Sequence, residues 1–93
     1  MPRFKVAHIR EQEVDLIIVP LDDKFDYKTQ NQQNAIISEI QANSSSAGLV
    51  GTVVPVWRSG STMKFIAPQQ WHSYFRSIDL SFVLANINRE IFW

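Results

Sequence analysis

Residues 49–68 constrain this chain more than any other stretch. Leu49-Val50-Gly51-Thr52-Val53-Val54-Pro55-Val56-Trp57 is rich in β-branched and aromatic residues, and Met63-Lys64-Phe65-Ile66 repeats that character. Between them Arg58-Ser59-Gly60-Ser61-Thr62 supplies a polar, Gly-containing break. Two such runs around a short Gly turn predict a β-hairpin. An isolated hairpin is at best marginally stable in water. The rest of the chain must therefore supply further strands and a layer to cover them.

The segments on either side fit that demand. Residues 3–9 alternate, with Phe4, Val6 and His8 on one face and Lys5, Ala7 and Ile9 on the other, which predicts a strand. Residues 14–21, Val14-Asp15-Leu16-Ile17-Ile18-Val19-Pro20-Leu21, read as an inner strand because the apolar run is nearly continuous. Asp22 to Lys28 is a polar loop whose Phe25 and Tyr27 are expected to fold back onto the core. Thr29 with Gln32 forms a capping box for a helix over residues 30–45, with Ala35, Ile36, Ile37 and Ile40 on its apolar stripe and Gly48 at its end. Pro55 lies inside an otherwise regular strand, which predicts an edge strand or a bulge there. Pro68 opens a helical turn over residues 69–76. Ser77 or Asp79 then caps a last helix over residues 78–92, because Leu80, Val83, Leu84, Ile87 and Ile91 recur at helical spacing.

These elements spell ββαββα. The expected fold class is α+β: a two-layer sandwich with a four-stranded, mainly antiparallel sheet and its helices on one face. The length of 93 residues and the apolar fraction of 45% fit a single domain over 1–93. A shift of 48 residues brings Val6 onto Val54, Arg10 onto Arg58, Ile18 onto Ile66 and Pro20 onto Pro68. The halves 3–47 and 49–93 thus form a possible pseudo-repeat.

Composition narrows the function classes. The chain has no Cys, which removes disulfides and thiolate metal sites. Its start lacks the apolar core of a signal peptide, and no apolar run reaches the ~20 residues of a membrane span. A small soluble cytoplasmic domain with no membrane role is expected. The formal net charge of zero argues against nucleic acid as a partner, which requires a basic excess. The charge is uneven all the same. Glu11, Glu13, Asp15, Asp22, Asp23 and Asp26 face only Lys24 within residues 11–26, whereas Arg58, Lys64, Arg76 and Arg89 dominate the second half.

No catalytic motif stands out. Ser61 and Lys64 match a Ser-x-x-Lys spacing, but on a strand the two side chains point to opposite faces, and the pattern needs a helix. His8 and His72 are the only histidines, too few for a zinc site without several carboxylates such as Asp22, Asp23 and Asp26. No metal and no cofactor are expected, and an enzyme is the less favoured class. Trp71 and Phe75 form one i, i+4 pair and His72 and Arg76 another. Together with Trp57 and Arg58 at the hairpin tip, Trp71, His72 and Arg76 are the candidate ligand or partner residues.

Three Trp, six Phe and two Tyr exceed what a small core commonly hides. The reading that follows is a non-catalytic interaction or assembly module that self-associates as a homodimer or takes a protein partner, with Trp57, Trp71 and Trp93 as anchors. The alternatives are a small ligand-binding protein or enzyme using His72, Arg76 and Arg58, and a nucleic-acid-associated protein.

Overall fold

The computed structural model of the protein describes residues 3–92, and the side chains of residues 3–91. Its strands are β1 (Arg3–Glu11), β2 (Val14–Pro20), β3 (Thr52–Ser59), β4 (Thr62–Phe65) and β5 (Arg89–Phe92). Its helices are α1 (Gln30–Ser46), α2 (His72–Ser77) and α3 (Leu80–Ala85). Short 3-10 turns at Asp23–Tyr27 and Gln69–Trp71 precede α1 and α2. The fold is α+β, with a five-stranded mixed sheet in the order β4-β3-β2-β1-β5. Among the described residues no helix is long and apolar enough to cross a membrane.

The expected hairpins form, β1 with β2 and β3 with β4, both antiparallel. The expected sheet differs in two ways. First, β2 and β3 pair in parallel, with Ile17 opposite Val53 and Ile18 opposite Val54. Parallel neighbours need a crossover, and α1 supplies it as the middle of a βαβ unit. Second, there is a fifth strand. The helical spacing over residues 78–92 breaks at Asn86: α3 ends at Ala85 and residues 89–92 pair antiparallel with β1. The Asn88 side chain makes that switch. Its Oδ1 accepts from the His8 backbone N–H at 2.8 Å and its Nδ2 donates to the His8 carbonyl at 2.9 Å, so one amide stands in for a rung of the ladder.

The helices lie on both faces rather than one. Ala7, Leu16, Ile18, Val54 and Val56 face Trp71, Phe75 and Val83 of the α2–α3 side. Val6, Ile17, Val19, Val53 and Ile91 face Ile40 of α1. Strand alternation sends successive residues to opposite layers, and both layers are apolar because both faces of the central strands are covered. The near-continuous apolar runs of β2 and β3 are the signature of that arrangement.

Pro55 is neither at an edge nor in a bulge. It sits opposite Val19 in β3, one strand in from the sheet edge, and is fully buried. Its carbonyl accepts from Ile66 N–H at 3.2 Å, so its nitrogen also faces the β4 side. Ile66 follows the last residue of β4, and the missing N–H falls where the ladder ends. The capping box is present as expected, with Thr29 Oγ1 accepting from Gln32 N–H and Gln32 Oε1 accepting from Thr29 N–H. Asp79 caps α3 through Phe82 N–H.

Candidate functional site

The β3–β4 hairpin turns at Gly60-Ser61, with Ser59 opposite Thr62. Gly60 has φ +63, a left-handed conformation that costs a side-chain-bearing residue more. Thr62 Oγ1 donates to Ser59 O and closes the turn. The β4 strand is an edge of the sheet. Because Ile66 N–H points to β3, alternation turns the main-chain groups of Lys64 and Thr62 the same way. Those of Met63 and Phe65 therefore face outward, unpaired with any strand among the described residues.

Asp26 ties this hairpin to the 3-10 turn before α1. Its Oδ1 accepts from Trp57 Nε1 at 3.1 Å and from Lys64 Nζ at 3.1 Å, and its Oδ2 accepts from Ser59 Oγ at 3.0 Å. These three donors, Trp57 first, then Lys64 and Ser59, hold the carboxyl below its ordinary value. Trp57 also packs its indole against Phe25, with centroids 4.7 Å apart. The acid is thus a clamp whose oxygens are already engaged.

A groove lies on each side of β4. On the α1 face a groove of about 500 Å³ is lined by Asp26, Lys28, Gln33, Asn34, Lys64 and Ile66. On the opposite face a groove of about 220 Å³ is lined by Arg58, Ser61, Met63, Asp79 and Leu80. Arg58 lies opposite Met63, and Trp57 opposite Lys64, so the two grooves belong to opposite faces of one edge. Main-chain donors and acceptors at an edge, with a pocket on either face, are the elements of strand addition.

The five residues singled out from sequence are not all brought together. Trp57 is 4% exposed on the α1 face, and Trp71 is 5% exposed on the other. Arg58 reaches the smaller groove. His72 packs its ring against Phe65 at 5.5 Å, and its Nε2 lies 2.9 Å from Ala67 O. Arg76 is exposed on α2. The aromatic surplus thus goes largely into the core, with Trp71, Tyr74, Phe75 and Phe65 in edge-on or tilted contacts. Trp93 lies outside the described residues. Tyr27 does not fold back as expected and stays 86% exposed. Burial, aided by the charge of Glu11, raises the Tyr74 hydroxyl above its ordinary value.

The two histidines do not meet: His8 Nε2 lies 2.8 Å from Val50 O, and His72 is held at Ala67. Among the described residues no three His or acidic side chains form a metal-binding group. The sequence does not single out Met63, Phe65 and Ile66 as site residues, and offers Asp26 only as a metal carboxylate, not as the acid that Trp57, Ser59 and Lys64 engage. Phe65 and Ile66 follow from β4 being short and terminal in the sheet, and Asp26 was hidden in an acidic run that reads as solvated. No family model, no curated protein and no solved structure significantly matches this chain.

Proposed function

We propose that the protein is a non-catalytic interaction module, a cytoplasmic homodimer in which β4 of one copy pairs antiparallel with β4 of a second. The observation that carries this reading is the open edge with a groove on each face. An added strand satisfies the outward groups of Met63 and Phe65, and its alternate side chains enter the two grooves. A second copy suits the edge for three reasons. Its β4 is already extended, so little ordering entropy is lost on pairing. The net charge of zero removes long-range repulsion between copies. Pairing Phe65 with its mate sets Lys64 against Ile66 rather than against a second Lys64 and covers Ile66, which is 37% exposed. The clamp at Asp26 keeps Lys64 folded back and leaves the edge clear.

Sedimentation equilibrium across tenfold-spaced concentrations tests the proposal. The wild type is expected to pass from 10.7 kDa to twice that mass in the micromolar range. Ile66→Lys, a charge on the edge, is expected to stay monomeric with an unchanged circular dichroism spectrum. A single 10.7 kDa species throughout refutes the dimer. A dimer that persists in Ile66→Lys refutes the edge.

A further inference from the structure

The sheet has a second edge, and one side chain closes part of it. β5 covers β1 only from Arg3 to Val6, while β1 runs on to Glu11. Over that overhang the outward main-chain groups belong to His8 and Arg10. The His8 N–H and C=O meet Asn88 rather than β2, and alternation turns those of Arg10 the same way. Asn88 fills the first of these two rungs. Its Oδ1 accepts from His8 N–H at 2.8 Å and its Nδ2 donates to His8 O at 2.9 Å. Its own main chain is engaged as well: the N–H donates to Val6 O at 3.1 Å, and the carbonyl accepts from Arg89 Nη1 at 3.0 Å. The rung is thus filled by a side chain, which an approaching strand cannot continue as a ladder.

We infer that Asn88 is a gatekeeper that withholds the β1 overhang from a second copy of this chain. Uncovered, the overhang is self-complementary. With Ile9 on a twofold axis, His8 of one copy lies opposite Arg10 of the other, and the two rungs exchange main-chain hydrogen bonds in both directions. The two Ile9 side chains, each half-buried beside the Trp71, Phe75 and Val83 layer, then meet across the axis. With the His8 rung filled, only Arg10 is left, and its exposed side chain puts a charge on what remains. A short, charged edge resists strand addition. The inference does not rest on β4, since β4 lies at the opposite end of the sheet.

Sedimentation equilibrium of the full chain carrying Ile66→Lys tests the inference, with that parent's own mass as the reference. The parent's mass reports on β4, and the change from the parent reports on Asn88, so the two readings fail separately. Adding Asn88→Ala is expected to raise the mass above the parent's, toward twice 10.7 kDa as concentration rises, while amide exchange at His8 and Arg10 slows in step. Asn88→Asp also loses the donor to His8 O but sets a carboxylate on the edge, and is expected to keep the parent's mass at every concentration. Asn88→Val, a stronger strand former, is expected to match Asn88→Ala and carries the test where Asn88→Ala loses the folded circular dichroism spectrum. An unchanged mass in folded Asn88→Ala or Asn88→Val overturns the inference. So does an equal rise in Asn88→Asp, which would mark a weakened fold rather than an opened edge. Loss of the folded spectrum in both Asn88→Ala and Asn88→Val overturns it too, since Asn88 would then hold the fold rather than guard its edge.

Discussion

Val83 and Leu84 are neighbours on α3 and should respond very unequally to truncation. Val83 is fully buried against the sheet, in the cluster with Leu16, Ile18, Val54 and Phe75. Val83→Ala removes two carbons. At ~0.8 kcal/mol per buried CH₂ the transfer loss is about 1.6 kcal/mol. The cavity left behind adds up to about 1 kcal/mol at ~24 cal/mol per Å³. The expected cost is therefore ~2–3 kcal/mol. For a domain this size that lowers the melting temperature by about 10–20 °C. Leu84 is 53% exposed. Its truncation loses roughly half of a leucine's transfer energy and regains a little helix propensity, for a cost under about 1 kcal/mol. Urea unfolding followed by tryptophan fluorescence measures both, since Trp57 and Trp71 are buried on opposite faces. The pair discriminates sharply because a continuous helix over residues 78–92 would place Leu84 on the apolar stripe. If Leu84→Ala costs as much as Val83→Ala, α3 does not sit as described and β5 is in doubt.

Other positions make further expectations. Gly51 has φ +142, and a Cβ there would come within 2.7 Å of Asp15 O where β2 and β3 run together. Gly51→Ala should therefore destabilise more than Gly48→Ala or Gly60→Ala, where a Cβ meets open space; equal melting temperatures for the three would contradict the close approach. The β1–β2 turn places Gln12 and Glu13 at φ 50 and 65, a type I′ geometry that suits Asn-Gly. Replacing both residues by Asn-Gly should stabilise the fold by roughly 1 kcal/mol, and a loss of stability would mean that the Gln12 or Glu13 side chain matters there. Asp26 and Asp22 have folded-state values below the ordinary 3.8, so near and below that pH the unfolded chain binds more protons than the folded one. Stability from these groups is thus complete above pH 5 and is lost as pH falls through the folded values; Asp26→Asn should flatten that acid limb in pH-dependent urea midpoints, and an unchanged limb would show the clamp to be absent in solution.

Much of the local structure is legible in the residues. Alternation marks β1, β-branched and aromatic runs around a Gly turn mark β3 and β4, and Thr29 with Gln32 marks the start of α1, because these signals act between near neighbours. Pairing is not local. The apolar runs of β2 and β3 state that both faces are covered, and a helix between two such strands is what a parallel pair requires. That signal was present but outweighed by the hairpins on either side. Residues 86–92 are the clearest failure. Leu80, Val83, Leu84, Ile87 and Ile91 satisfy a helical period, yet the free edge of β1 and the Asn88 amide on His8 offer backbone partners that a longer helix would leave unsatisfied. Tertiary pairing overrides the local period there. Pro55 misleads for the same reason, since whether its missing donor matters depends on where β4 stops. Arg58 can be found from its place at the hairpin tip, whereas Asp26 cannot, since its donors lie more than thirty residues away in sequence.

Amide hydrogen exchange at Met63 and Phe65 tests the central claim most directly. In a single copy these N–H groups point away from β3 and should exchange quickly, while Lys64 N–H, turned toward β3, should be protected. Pairing of β4 with a second copy predicts that exchange at Met63 and Phe65 slows as protein concentration rises through the micromolar range, with Lys64 and the β2–β3 ladder unchanged. Fast, concentration-independent exchange at both positions would contradict the account.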